Sequence, residues 1–305
     1  MPKIGIDIGY YNPRKIVPIS FTDGTNSGGG VTEYIVAEGG TATRDGDYIV
    51  RTFLAGSFDL VVTSNLGNYP LTFLGAGGGG CGGATDNGGA GGGGGGDVLE
   101  DSFIPTVRSY ALTVGTGGYF SATDNLPTMF GVDTTLETES GTIILLGGGR
   151  GGLSSTVPDA KDNGGDGGSA GGNGYYRPVR VATANGYNVN IGGIGSFAQD
   201  GGAGGGGAAG VGADVASAAG ANGGAGLASS ITGTLKYYCA GGGGGSYNNA
   251  TPGLGGSSTG GNGGYVSGGY QAATSPIANS ATYGGGAAGG IRPTKFGTTG
   301  ADGVI

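Results

Sequence analysis

Few side chains in this chain are equipped for proton or group transfer. It contains no histidine, so the usual general base and the usual zinc ligand are both missing, and neither Cys81 nor Cys239 has an imidazole to activate it. What remains are carboxylates. Asp159 with Asp162, and Asp133 with Glu137 and Glu139, offer pairs of the kind that glycoside cleavage uses as acid and base. Each group also reads as solvated turn residues, and the expectation is a protein that is not an enzyme and carries no cofactor. The stretch DNGGDGGSAGGNG at 162–174 presents Asp162, Asn163 and Asp166 as oxygen donors for a hard cation. Calcium-binding Gly/Asp repeats hold Asp at a fixed phase in tandem copies; no second copy follows here, so no metal is expected.

Tyrosine beside asparagine points instead to recognition. YYRP at 175–178, SYNNATP at 246–252, GYVSGGYQ at 264–271 and NSATY at 279–283 interrupt the glycine runs. Tyr supplies contact area at little rotamer cost, and Asn supplies adaptable hydrogen bonds. Tyr175, Tyr176, Tyr247, Asn248, Asn249, Tyr265 and Tyr270 are the candidate receptor contacts. The competing reading is that these rings only cap exposed ends of the structure. Cys81 and Cys239 each sit beside a glycine run; a bridge between them and burial as two small apolar side chains both remain open.

The elements that must position these loops are unusual, because 82 of 305 residues are glycine. Runs such as Gly91–Gly96 have no side chain to bury and a large conformational entropy to lose. Collagen would need glycine at every third position and abundant proline, whereas the chain has 11 prolines and no such register. A Gly/Ser linker would be monotonous and polar. The expectation is therefore a polyglycine II bundle of left-handed extended helices with about three residues per turn, whose peptide groups pair between neighbours.

Between the glycine runs lie β-branched and aromatic stretches bounded by turn residues. They predict strands within about 47–76, 107–115, 141–147, 187–197 and 230–239, with VTEYIVA at 31–37 preceding them. The fold class is all-β, a β-sandwich or meander base with the bundle growing from its strand ends. Residues 1–38 read as an N-terminal arm or docking segment and 39–305 as the glycine-rich domain. The opening IGIDIGYYNPRK resembles the first phosphate loop of actin-like ATPases, but the chain lacks the helical periodicity such an enzyme requires, and Lys3–Ile8 reads better as a docking strand.

With 13 basic against 21 acidic residues the net charge is −8, and no basic stripe suits a nucleic-acid partner. No stretch has the length to span a bilayer, and the N-terminus has no signal-peptide pattern.

The order GDYIVRTFLAGSFDLVVTS, NYPLTFLGAGGGGCGG, SYALTVGTGG, GTIILLGGGRGG, SSITGTLKYYCAGGGGGSYNNATPGLGGSSTGGNGG, YGGGAAGG and GTTGADGVI resembles the glycine-rich domain of tailed-phage virion proteins over about residues 40–305. The resemblance implies a tail or tail-fibre protein that contributes to host attachment, with a host-surface glycan or outer-membrane protein as its target. Residues 1–38 would contact other virion proteins, several copies would sit on a particle, and assembly in the host cytoplasm with release by lysis would need no export signal. The alternatives are a capsid or tail decoration protein that makes no receptor contact and, with less support from the irregular Tyr, Asn and Asp interruptions, an ice-binding protein.

Overall fold

The structure, a computed structural model, describes residues 35–84, 88–119, 130–154, 163–175, 182–196, 200–247, 250–266, 270–271, 283–290 and 298–305. Among the described residues there is no α-helix, and the sheets are antiparallel. Strands β1 (Ile35–Glu38), β4 (Gly56–Asn65), β7 (Ser109–Val114), β8 (Thr134–Thr138) and β9 (Gly141–Leu145) form one five-stranded sheet in the order β1-β4-β7-β8-β9. Two hairpins, β2 (Thr41–Asp45) with β3 (Tyr48–Thr52) and β5 (Leu71–Ala76) with β6 (Val98–Phe103), face it. In the two-residue turn between β2 and β3, Gly46 supplies the positive φ of +58° that such a turn demands.

Alternation explains the packing. In β7 every second residue points inward, so Tyr110, Leu112 and Val114 are buried while Ser109 and Ala111 are exposed. They join Leu60 and Val62 of β4 and Leu136 of β8, and meet Phe53 and Phe73 from the hairpin side in one apolar cluster. Phe103 stands edge-on to both Phe73 and Tyr110, an arrangement that aromatic rings prefer.

The predicted strands near 47–76, 107–115 and 141–147 form. Of that at 230–239 only β11 (Lys236–Tyr238) forms, paired with β10 (Leu227–Ser229), which precedes the predicted range. A last two-residue ladder joins β12 (Tyr265–Val266) to β13 (Tyr270–Gln271). The segment at 187–197 is not a strand in its described part, which belongs to the glycine array. Its Ile191 and Ile194 are exposed and three residues apart, so their alternation with smaller residues follows a period of three and not of two. Ile35–Glu38, placed in the arm by sequence, pairs with β4 and is part of the sheet.

Beyond the strands, buried glycine segments form a second body ordered by their own backbones. From Gly91 onward the N–H groups donate in rotation to three neighbours. Gly91, Gly94 and Asp97 reach the carbonyls of Gly152, Gly149 and Leu146; Gly92 and Gly95 reach Ala203 and Gly206; Gly93 and Gly96 reach Ala287 and Gly284. The carbonyls of the same stretch receive from three more. Gly77, Gly80 and Gly83 donate to Asp97, Gly94 and Gly91; Ser169, Gly172 and Tyr175 donate to Gly95, Gly92 and Gly89; Gly242 and Gly245 donate to Gly93 and Ala90. The central segment thus has six neighbours, and each bonding direction recurs every third residue.

Such packing leaves no room for side chains. A Cβ on any residue from Gly91 to Gly96 would lie less than 3.0 Å from a neighbour's carbonyl oxygen, closer than real Cβ atoms come. Because every peptide group in that stretch donates to a neighbour, the buried backbone leaves no N–H without a partner, which is the condition an interior must meet.

Candidate functional site

The array has two unlike ends. At one, its segments run directly out of strands, at Ala76–Gly77, Asp97–Val98, Leu145–Leu146 and Tyr238–Cys239. At the other, the described runs end in bonds to one another. There Ser154 N–H bonds Ala84, Gly89 bonds Asp200, Tyr175 bonds Gly89, Ala90 bonds Gly290, Ser246 bonds Gly264 and Gly82 bonds Thr298. This loop end is the candidate site, because it carries Tyr175, Tyr247 and the start of the β12–β13 hairpin.

The described ends of these loops are tied to the array. The Tyr175 amide donates to Gly89 at 3.1 Å, and its ring lies against Gly88, whose φ of +78° and close approach both demand glycine. The Tyr247 amide donates to Ala218 at 3.3 Å, and its carbonyl accepts from Ala250 at 3.2 Å. The Ser246 hydroxyl closes the same turn by donating to the Ala250 carbonyl at 2.7 Å. Both tyrosines are half-buried. Tyr265 lies opposite Gln271, and Tyr270 opposite Val266; Gly264, which leads into this hairpin, donates to Gly289 at the loop end. Tyr176, Asn248 and Asn249 lie outside the described residues.

Of the other candidates, those described bond within the framework. Asp166 Oδ1 accepts from the Thr183 amide at 2.6 Å, and the Asn163 carbonyl accepts from Arg150 at 3.2 Å; Asp162 lies outside the described residues. Among the described residues no group of three or more acidic, Cys or His side chains converges on a cation site. Asp133 Oδ1 accepts from Gly147 at 2.8 Å, where it holds the exit of β9. Glu137 accepts from Arg108 at 2.6 Å, and that bond, with the Ala111 amide, draws its carboxyl below the usual range. Glu139 is held at about 2 by the Tyr110 hydroxyl first, then by the Thr106 amide and hydroxyl. Asp159 lies outside the described residues.

Both cysteines are free and buried in the structure, so of the two readings open from sequence it is burial that they follow. Burial pushes the Cys81 thiol up to about 12 against a smaller downward pull from Arg150, and raises Cys239 well above its usual value.

One buried group escaped the sequence reading. Asp97 sits where the central glycine segment enters β6, fully buried. Its Oδ1 accepts from the Tyr187 and Asn188 amides at 3.0 and 3.1 Å, while Oδ2 has no hydrogen-bond partner among the described residues. Burial raises its carboxyl above the usual value despite those bonds. Its place at the end of a glycine run gave no signal of this, since an Asp there reads as a turn residue.

A family model described as a glycine-rich domain matches residues 52–305. No curated protein and no solved structure matches the chain.

Proposed function

Because the chain belongs to the glycine-rich domain family, whose match covers the array and the β base from the end of β3 onward, we propose that it is a non-enzymatic display protein of a bacteriophage tail or tail fibre. Its array is a polyglycine II bundle, and its loop end contacts the host surface. The observation that carries this reading is the six-neighbour array with its three-residue rotation of hydrogen bonds. A left-handed extended helix of three residues per turn sends successive peptide groups in three directions, which accounts for that rotation. Such a bundle is stiff because its order lies in backbone bonds. It holds Tyr175 and Tyr247 in fixed positions, which lowers the entropy lost on binding. Many copies on one particle would add avidity. The target chemistry that suits Tyr and Asn is a glycan or an outer-membrane protein, and the protein would assemble inside the host and leave by lysis.

Immunogold labelling of purified particles and of infected cells tests the location. Label at the distal end of a tail or fibre supports the reading. Label along the shaft or over the capsid favours a decoration role, and label confined to cells removes the virion assignment. Tyr175→Ala with Tyr247→Ala should then slow adsorption at least about tenfold if the rings act as binding anchors, with particle yield unchanged; unchanged adsorption would clear the loop end of this role.

A further inference from the structure

Where asparagine precedes glycine, a backbone can attack its own side chain, because glycine has no Cβ to shield its amide nitrogen. The sequence holds six such pairs, starting at Asn87, Asn163, Asn173, Asn185, Asn222 and Asn262. Asn87 lies outside the described residues. The array restrains four of the others. The Gly164 N–H donates to Asn173 Oδ1 at 2.9 Å, which engages the nitrogen of one pair and the side-chain carbonyl of another; Asn173 is also buried. The Gly223 N–H donates to the Leu254 carbonyl at 2.9 Å, and the Leu254 N–H returns to Asn222 Oδ1 at 2.8 Å. The Gly263 N–H donates to Gly253 at 2.8 Å, while Asn262 Oδ1 accepts from Gly255 at 2.8 Å. Asn222 and Asn262 are exposed, so bonding and not burial holds them.

The pair at 185 differs. Asn185 and Gly186 are both exposed, and among the described residues neither the Asn185 side chain nor the Gly186 N–H makes a hydrogen bond. The chain is fastened on either side of them. Before the pair, the Thr183 N–H donates to Asp166 Oδ1 at 2.6 Å, and the Asn185 N–H donates to the Gly167 and Gly168 carbonyls at 2.9 and 3.1 Å. After it, the Tyr187 and Asn188 amides hold Asp97 Oδ1, and Asn188 Nδ2 donates to the Val98 carbonyl at 2.9 Å. The peptide joining 185 to 186 is thus an unbonded unit between two anchors. It can swing without moving either, since opposite changes in ψ of Asn185 and φ of Gly186 compensate. Gly186, whose φ is already +142°, has no Cβ to oppose them.

We propose that the Asn185–Gly186 pair is a site of covalent self-modification that loosens the junction between the array and the β base. The Gly186 nitrogen attacks Asn185 Cγ and gives up its proton as the new C–N bond forms; the bond from Cγ to the side-chain nitrogen breaks, and that nitrogen leaves as ammonia. Water then opens the cyclic succinimide. Cleavage of the new bond leaves aspartate at 185. Cleavage of the original peptide bond leaves isoaspartate, whose main chain runs through Cβ and Cγ and is longer by one atom. Nothing is oxidised or reduced, and water is the only co-reactant. The longer link moves the Tyr187 and Asn188 amides out of register with Asp97, which is buried where the central glycine segment enters β6.

The test stores the full chain at mildly alkaline pH, samples it over weeks and maps its peptides by mass spectrometry, with isoaspartate detected by enzymatic methylation. Loss of the side-chain amide at Asn185 should outpace loss at Asn163, Asn173, Asn222 and Asn262 by at least about tenfold, because those four must first open locally. In denaturant the five should react alike. Asn185→Gln, whose longer side chain must close a larger ring, should stop the reaction at 185 and leave the denaturation curve unchanged. In the isoaspartyl chain, hydrogen exchange at the Tyr187 and Asn188 amides should quicken at least about tenfold. The proposal falls if the folded chain loses the Asn185 amide no faster than the other four. It falls equally if the preference for 185 persists in denaturant, which would place it in the local sequence and not in the fold. Unchanged exchange at Tyr187 and Asn188 in the isoaspartyl chain would overturn the loosening of the junction.

Discussion

The β base and the glycine array solve the same problem with opposite materials. In the base, Leu60, Val62, Tyr110, Leu112 and Phe73 exclude water with side chains, and the backbone is confined to the sheets. In the array the backbone is the interior: the Gly91–Gly96 run is wholly buried yet contributes no side chain, and its cohesion comes from peptide groups bonded to six neighbours. A side-chain core tolerates adjustment, because rotamers shift and neighbouring chains repack. A backbone core has no such slack, since the atoms in contact are held by their own hydrogen bonds.

The sharpest way to break this contrast is to add atoms to one core and remove them from the other. Gly94→Val places a branched side chain against the Ser169 carbonyl, and nothing in the vicinity is a flexible side chain that can yield. The expected loss is about 4 kcal/mol or more, seen in chemical denaturation as failure of the array to fold. Leu112→Ala in the base leaves a cavity and should cost about 3 kcal/mol with the fold retained. Gly46→Ala is the control: φ is positive but open space surrounds the position, so the cost should be only about 1–2 kcal/mol. Equal costs for Gly94→Val and Gly46→Ala would mean that the array repacks as a side-chain core does.

Acid should separate the two regions by sign. Glu137 and Glu139 in the base have depressed carboxyls. Their contribution is complete above the unfolded carboxylate value of about 4.3 and is lost as pH falls from there through about 2 for Glu139. Asp97 behaves oppositely. Its folded value is raised, so its contribution is present below the unfolded value of about 3.9 and is lost as pH rises through the folded one. Asp97→Asn keeps an acceptor for the Tyr187 and Asn188 amides and removes the charge, and should therefore raise stability at neutral pH and abolish that part of the pH dependence. Denaturation curves of this variant and of Glu139→Gln between about pH 2 and 7 check both signs. A variant at Asp97 less stable than the parent at neutral pH would show that the carboxylate is compensated by contacts other than the amides of Asn188, Tyr187 and Val98.

Much of this architecture was legible in the residues, and the failures have physical causes. YIVRT, FDLVVTS, LTFLGA, SYALTV and GTIIL carry enough β-branched and aromatic residues to identify five strands. VLEDSF and TTLET did not stand out because their outward positions are acidic or Thr and their buried faces are short: Val98 alone is buried in the first, and Leu136 lies between two buried threonines in the second. The glycine segments were expected to bond to one another, but which segment meets which was not readable, since a run without side chains has no distinguishing register. At the loop end, Tyr175 and Tyr247 are tied to the backbone carbonyls of Gly89 and Ala218. The bridging of β3 and β5 by residues 304 and 305 was invisible, because Phe53 meets Ile305 and Ala76 meets Val304 across most of the chain.

The smallest effect tests the rotation itself. In the segment around 191–195, Ile191 and Ile194 are exposed while Gly192, Gly193 and Gly195 are buried. A Cβ on Gly192 would strike the Gly171 carbonyl and one on Gly193 the Ala213 carbonyl. Ile191→Thr and Ile194→Thr should each stay within about 0.5 kcal/mol of the parent, whereas Gly192→Ala and Gly193→Ala should each cost about 2 kcal/mol. A scan of this segment would thus read tolerant, intolerant, intolerant, tolerant. A strand would instead alternate every second residue, and a flexible linker would show no pattern, so this sequence of small and larger losses identifies the three-residue turn even at the outer edge of the array, where solvent supports one side.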